Sequence, residues 1–293
     1  MAPEWDDEGD EVLQGGVGNA GAVVRRGDHV LRPTSAHTPA IHALLGYCHD
    51  NGFDGVPEVV GVEPAEPGAA GGGRERLVFV PGDVPVPPFP TWSQTDAVLA
   101  STAALLRRYH DAVAGFSAPP DATRSDEMVD WAPGPDPVIC HNDVCPENVV
   151  YRDGAAVVLL DFEFAAPGRR TYDLASLARM CVPIETDEDA ARTGRGGLDA
   201  AARLAVAADA YGLDAPGRVE LLEVLSEQFD RSGEFVRRRM ERGEQAFVDM
   251  WNATGGAARY VRRRRWFEAN RERFAEALSA GAARSGPNPP AAS

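Results

Sequence analysis

The stretch "ICHNDVCPENVVY", residues 139–151, decides the fold. A short apolar run ends in His141, Asp143 follows two positions later, and Asn148 comes five positions after that. Shortly beyond it, "VVLLDFEFA" places Asp161 at the end of a second apolar run. Short β-like runs that end in polar residues hold those side chains on rigid supports, so the pattern predicts a polar cluster.

These residue types point to one kind of chemistry. One carboxylate, one amide oxygen and a second acid close by form a hard-oxygen set suited to Mg²⁺. The remaining acid can accept a proton from an attacking hydroxyl, which completes the residues that phosphoryl transfer needs. The spacing from Asp143 to Asn148 matches the kinase catalytic loop, and Asp161-Phe162 corresponds to the start of the D-F-G motif, with Glu163 in place of the glycine.

The segment "CHNDVCPENVVYRDGAAVVLLDFEFAAPGRRTYDLASLAR" resembles the aminoglycoside phosphotransferase (phosphotransferase enzyme) family, relatives of choline and homoserine kinases. "VLRPTSAHTPAIHALLGYCHDNGFDGVP" and "LLRRYHDA" are similar to an actinobacterial branch often labelled with trifolitoxin immunity. The resemblance covers residues 12–185 or so. It implies a bilobal kinase-like α+β fold, use of ATP (or GTP) and Mg²⁺, and a small-molecule hydroxyl substrate such as an antibiotic-like or metabolite alcohol.

The resemblance also implies a catalytic role for three residues of the opening region. Asp143 would be the catalytic base, and His141 would orient its loop. Asp173, in "YDLA", would be the buried acid that braces this loop from behind.

A further three residues would form the metal site by the same resemblance. Asn148 and Asp161 would be the Mg²⁺ ligands, and Glu163 would add a weaker contact. The alternative is that these acids only cap turns, which is the usual role of a single loop acid. Several motif positions in register make that alternative the less favoured one.

The nucleotide would be held from the N-terminal side. Gly16, Gly18 and Asn19 belong to a G-x-G-x-x-G run followed by "AVVRR" and a turn, which favours a strand–loop–strand flap over phosphates, or a plain surface hairpin, rather than a dinucleotide fold. By the same resemblance, the basic side chain of Arg32 would contact the α- and β-phosphates. The family usually has lysine at this position, but this chain contains none, and arginine can bind phosphate bidentately.

The adenine would be bound by backbone groups of Val78, Phe79 and Val80, again by the resemblance. One feature departs from the kinase pattern. Kinases pair the phosphate-binding base with an acid on the following helix, whereas residues 33–49 contain no acid and His42 lies on the predicted helix face.

The organisation along the chain follows composition and periodicity. Residues 1–80 read as an N-lobe with a small antiparallel sheet and one helix, and residues 81–90 as a Pro-rich linker. A helical C-lobe with the catalytic loop would occupy residues 91–283, beginning with a helix capped by Thr91 and Gln94. The tail, residues 284–293, is predicted to be disordered.

Three C-terminal patterns allow more than one interpretation. An acidic helix would suit a cationic substrate or merely carry solvated acids, and "YVRRRRWFEANRERF" reads as the solvated face of a helix with an apolar core side. A pair of loop arginines could face a phosphate. The acidic helix carries Glu220, Glu223, Glu227, Asp230 and Glu234. In the arginine-rich helix, Val261, Trp266 and Phe267 would form the apolar core side. The loop arginines are Arg169 and Arg170.

Composition and charge limit the classes of partner that the protein could bind. A net charge of −16 would repel a polyphosphate backbone, so nucleic acid is not expected. No apolar run reaches the length of a membrane span and no signal peptide is visible, so we expect a cytoplasmic protein that acts without a membrane. The competing hypothesis is a kinase-fold binding or immunity protein that sequesters a ligand without turnover. A protein kinase is disfavoured by the short segment after Asp161.

Overall fold

The computed structural model describes residues 4–5, 9–13, 22–64 and 72–284. The N-terminal part forms one sheet from six strands, β1 (Glu4–Trp5), β2 (Glu11–Val12), β3 (Val24–Arg26), β4 (His29–Pro33), β5 (Val59–Glu63) and β6 (Arg74–Val78). Their spatial order is β1-β2-β3-β4-β6-β5, and all neighbours are antiparallel. The predicted antiparallel sheet is therefore confirmed.

One helix packs with this sheet, as the periodicity predicts. Helix α1 (Thr38–Asp50) buries Ile41, Leu44 and Cys48 on one face. A proline lies in its first turn, where the missing N–H costs nothing. The helix ends before Gly52, whose φ of +75° is in the left-handed region that favours glycine.

The proline-rich segment of residues 81–90 is docked along the C-terminal part rather than hanging free. Asp83 and Tyr151 exchange backbone hydrogen bonds of 2.9 Å in both directions, and the Phe89 N–H donates to Thr193 O at 2.9 Å. The Phe89 side chain is buried. This segment is therefore packed against the helical C-terminal part of the chain. Whether it serves as an interdomain linker remains a prediction.

Helices form most of the remaining chain. They are α2 (Asp96–Ala112), α3 (Arg170–Cys181), α4 (Asp187–Ala191), α5 (Ala200–Tyr211), α6 (Ala215–Glu241), α7 (Gln245–Ala253), α8 (Gly256–Ala269) and α9 (Arg271–Arg284). Helix α2 packs on α5, and α3 packs on α6. Within the described ranges, none of the helices combines the length and the apolar character that crossing a bilayer requires.

The start of α2 corrects the predicted capping box. Residues Thr91–Gln94 form a separate short 3₁₀ helix, and Thr95 is in an extended conformation that breaks it from α2. The Thr95 side chain accepts a hydrogen bond from Val98 N at 3.2 Å and is the actual N-cap. Helix α2 buries Leu105 and Tyr109.

Short strands frame the opening stretch of sequence. The predicted β-like runs before and after the loop form β7 (Val138–Cys140) and β9 (Ala155–Leu159), and β8 (Val149–Arg152) lies between them. A fourth, β10 (Ala166–Gly168), pairs with β7 and was not predicted, because it has three residues and contains a proline. The loop between β7 and β8 is thus held at both ends.

The arginine-rich helix α8 differs from its predicted solvated face. Arg259 pairs with buried Glu185 at 2.6 Å, and Arg262 pairs with Asp189 at 2.9 Å. Arg263 donates to the Ile184 carbonyl at 3.0 Å. Val261, predicted as core, is exposed, whereas the predicted core positions 266 and 267 are partly and fully buried. The arginines therefore dock this helix through ion pairs, a distinction that periodicity alone does not make.

Candidate active site

In the loop after β7, Asn148 and Asp143 are joined by hydrogen bonds. The Asn148 amide nitrogen donates to both the backbone oxygen and Oδ2 of Asp143, each at 3.0 Å. Because the nitrogen is used in these bonds, the Asn148 amide oxygen is the atom that can ligate a metal. Asp143 is half-buried, and its Oδ1 accepts no hydrogen bond from the described residues.

His141 lies beneath this loop in the position predicted for an orienting residue. Its Nε2 donates to the Leu160 carbonyl at 2.7 Å, which fixes Nδ1 as the acceptor. Nδ1 faces the Asp143 N–H at 3.3 Å. The ring packs 4.5 Å from that of Phe162, so the histidine connects the Asp143 loop to the segment that carries Asp161.

Asp173 is fully buried and binds the loop from helix α3. Its carboxylate accepts hydrogen bonds from the His141 N–H at 2.6 Å, the Asn142 N–H at 2.8 Å and His110 Nε2 at 2.9 Å. Burial raises the pKa of Asp173, but these bonds and the neighbouring histidine outweigh burial and leave the pKa below its ordinary value. The loop beside Asp143 is therefore anchored to the helical core.

Three carboxylates gather at the cleft face. Asp161 has a φ of +59°, an uncommon conformation for a residue other than glycine, which turns the chain sharply after β9. Burial raises the pKa of Asp143, and the nearby charge of Asp161 raises it further. Burial and Asp161 also raise the pKa of Glu163 to about 7. Such a concentration of negative charge suits a cation.

The predicted phosphate-binding Arg32 faces this acidic group and has an acid partner that the sequence reading missed. Its Nη1 donates to Asp161 Oδ1 at 2.9 Å, and its Nε contacts Glu75 Oε1 at 2.7 Å. Glu75 lies directly opposite Arg32 in the β4–β6 register, and His42 Nε2 contacts its other oxygen at 2.7 Å. The acid that residues 33–49 lack is thus supplied by β6, and α1 contributes the histidine that supports it.

The backbone groups predicted to meet an adenine are only partly available. The Val78 N–H donates to Glu58 O at 2.9 Å, and the Phe79 N–H donates to Asp28 O at 2.8 Å. In the described part of the chain, the Val80 N–H makes no hydrogen bond. Val80 is therefore the candidate donor to a base. The predicted flap residues Gly16, Gly18 and Asn19 lie outside the described residues, as does the tail beyond residue 284.

The charged positions further along the chain are mostly paired within the protein. Arg169 binds buried Asp130 at 2.8 Å and also reaches Glu220 and Glu227, so it does not face a phosphate. Arg170 pairs with Asp111 at 2.8 Å. The acids predicted to attract a cationic substrate are largely neutralised in the same way, with Asp230 paired to Arg264 and Glu234 to Arg238.

Comparisons with known proteins show which family the chain belongs to. The model of the phosphotransferase enzyme family matches residues 126–208, which include the catalytic loop, Asp161 and Asp173. The trifolitoxin immunity protein of Rhizobium leguminosarum bv. trifolii is 33% identical over 205 residues, which is 70% of this chain and 75% of that protein.

Solved structures show the same fold at low identity. A choline/ethanolamine kinase family protein from Mesorhizobium loti aligns with a TM-score of 0.55 at 14% identity over 89% of each chain. The GDP complex of wild-type aminoglycoside 2'-phosphotransferase-IIIa aligns with a TM-score of 0.56 at 13% identity, over 96% of this chain and 94% of that one. This chain therefore belongs to the phosphotransferase enzyme family and has its kinase-like α+β fold.

Proposed function

We propose that the protein transfers the γ-phosphoryl group of Mg-ATP or Mg-GTP to a hydroxyl group of a small molecule. The observation that carries this proposal is the Asp143–Asn148 loop facing Asp161, with Arg32 bridging Asp161 and Glu75 across the cleft. A kinase site requires both a proton acceptor and a phosphate-binding cation next to a metal site. GDP bound to a structural neighbour is the reason to keep both nucleotides.

The residues at the cleft fit Mg²⁺. The Asn148 amide oxygen and the carboxylates of Asp161 and Glu163 are the hard oxygen donors that this ion prefers. Arg32 occupies one oxygen of Asp161, which leaves the other for a metal. When bound, the ion would offset the negative charge of the phosphates and of these acids.

Asp143 carries out the proton transfer in this scheme. Its carboxylate accepts the hydroxyl proton as the acceptor oxygen forms a bond to the γ-phosphorus, and the bond from that phosphorus to the β–γ bridging oxygen breaks to release the nucleoside diphosphate. Asn148 and His141 hold Asp143 so that its uncommitted Oδ1 can face the acceptor. The acceptor is a small alcohol, antibiotic-like or metabolic.

The second candidate is sequestration of a ligand without turnover. The name of the relative, an immunity protein, supports it. The absence of an acid in residues 33–49 was the sequence observation in its favour, but Glu75 contacts Arg32 at 2.7 Å and fills that role. A binding protein also has no evident use for the Asp143–Asn148–Asp161 arrangement.

Nucleotide binding tests the proposal without a known acceptor. Thermal unfolding would be followed with ATP and GTP, with and without Mg²⁺, for the native protein, Asp161→Ala and Glu223→Ala. Glu223 is an exposed acid on α6 and serves as the matched control. A nucleotide at 100 times its Kd should add about 2.7 kcal/mol of stability. We expect a Mg-dependent shift that Asp161→Ala loses and Glu223→Ala keeps. No shift with either nucleotide would favour sequestration.

A further inference from the structure

Helix α3 presents a line of polar side chains along the catalytic loop. Asp173 binds the N–H groups of residues 141 and 142, and one turn later Ser176 Oγ donates to the Asn142 carbonyl at 2.9 Å. Arg179 follows three positions further, on the same side of the helix. Asp173 and Ser176 hold the loop by these hydrogen bonds, and the charge of Arg179 acts on Asp143 in the same loop.

Arg179 has no structural partner that accounts for its burial. Its side chain is only 8% exposed, and across residues 22–64 and 72–284 it makes neither an ion pair nor a hydrogen bond. Its Nε is buried without an acceptor. An unpaired buried charge is costly, and structural arginines are normally paired with an acid. Its charge reaches Asp143, whose pKa is raised chiefly by burial and is lowered in part by Arg179.

The surroundings of Arg179 contain an excess of positive charge. Arg195 and Arg259 share one buried carboxylate, that of Glu185, at 3.4 and 2.6 Å. Arg263 donates to the Arg179 carbonyl. Burial lowers the pKa of Arg263 to about 10, with Glu185 opposing and the neighbouring arginines adding to the decrease.

Four guanidinium groups therefore lie near three carboxylates at this position, those of Glu185, Glu147 and Asp143. The Oε2 atom of Glu147 is itself buried without a hydrogen-bond partner. The local balance is positive, although the chain carries a net charge of −16. The charge of Arg179 acts on Asp143, the predicted catalytic base.

We propose that Arg179 binds an anionic group of the acceptor, so that the substrate is a hydroxylated carboxylate or a phosphate ester of an alcohol. This inference rests on the proposed function, since it assigns the acceptor class of the same site. The anionic group docks on Arg179 and leaves a neighbouring hydroxyl within reach of Asp143. A polycationic acceptor of the aminoglycoside type would meet repulsion at this position.

A binding experiment tests Arg179 without any turnover. Inorganic phosphate would be titrated calorimetrically into the native protein and the variants Arg179→Gln, Arg179→Lys, Arg32→Gln and Arg265→Gln. Arg265 is exposed on α8 and is the matched control. We expect a Kd raised about tenfold or more in Arg179→Gln, because a charge-assisted bond is lost, and a smaller increase in Arg179→Lys. Phosphate binding that persists in Arg179→Gln and disappears in Arg32→Gln would overturn the inference.

An acceptor comparison separates this inference from the proposed function. Release of ADP from Mg-ATP would be measured with glycerate, with glycerol, in which a hydroxymethyl group replaces the carboxylate, and with kanamycin. A kcat/KM for glycerate at least tenfold above that for glycerol, lost in Arg179→Gln, supports the inference. Faster transfer to kanamycin would overturn it and leave the kinase function standing. If Mg-ATP is neither bound nor consumed, the proposed function fails, and the phosphate titration still decides the role of Arg179.

Discussion

Replacing Glu75 with glutamine tests whether a strand acid does the work of the usual helix acid. Glu75 is nearly fully buried and contacts Arg32 and His42 at 2.7 Å each. The substitution keeps the shape of the side chain and removes its charge. Arg32 would then retain Asp161 as its acid partner and would be drawn toward it, which occupies a carboxylate that the metal site needs.

The expected size of the effect follows from these contacts. Two charges about 4 Å apart at an effective dielectric constant of about 20 attract each other by roughly 4 kcal/mol. Part of this is recovered, because the neutral side chain is cheaper to bury and still accepts one hydrogen bond. We therefore expect Glu75→Gln to lose about 1–3 kcal/mol of folding stability. We expect its Kd for Mg-ATP to rise about tenfold.

The assay is denaturant unfolding combined with a Mg-ATP titration, and His42→Gln is the matched control. That variant perturbs the hydrogen bond to Glu75 but leaves the Arg32–Glu75 ion pair, so about 1 kcal/mol of stability and little nucleotide affinity should be lost. If Glu75→Gln folds and binds Mg-ATP as tightly as the native protein, Glu75 does not position Arg32, and the reasoning is refuted.

Two other substitutions probe the catalytic loop. Asp143→Asn should keep Mg-ATP affinity and lower kcat by a factor of about 10² to 10⁴, because it removes a proton acceptor and no metal ligand; turnover near the native rate would reject that role. Asp173→Asn should lose about 3 kcal/mol at neutral pH. The folded pKa of Asp173 lies below its ordinary value, so its contribution is present above about pH 4 and is lost as the pH falls through the folded pKa. The stability difference from the native protein, measured by urea unfolding between pH 7 and pH 3.5, should therefore shrink at the acid end, and a constant difference would contradict an ionised Asp173.

The structure of the loop between β7 and β8 could be predicted because its information is local. Asp143, Asn148 and Asp161 lie within 19 residues of one another, between short apolar runs whose spacing fixes a tight loop. The strands around them are confirmed for the same reason. The sequence pattern was sufficient to predict these local elements, because the positions of their side chains are set by the strand or turn that carries them.

Partners from distant parts of the chain could not be predicted in this way. Glu75 meets Arg32 only through the pairing of β4 with β6, and periodicity does not specify which strands pair. One signal was present, since Glu75 has the same strand phase as the buried Leu77, and an acid at a buried position needs a cation. The inward-facing arginines of α8 likewise depend on Glu185 and Asp189, which lie on a different part of the chain.

The docked proline-rich segment has a mechanical consequence. The carbonyl of Pro81 accepts a hydrogen bond from Arg152 at 2.8 Å, and the paired backbones of Asp83 and Tyr151 fix the next turn. On the other side, the Phe79 N–H is bound to the sheet. The chain is thus clamped on both sides of Val80, so a rotation of the sheet over the helices must be absorbed by the torsions of one or two peptide units. Val80, the proposed donor to a base, lies between these two fixed points, so we expect a base bound there to restrict that rotation as well.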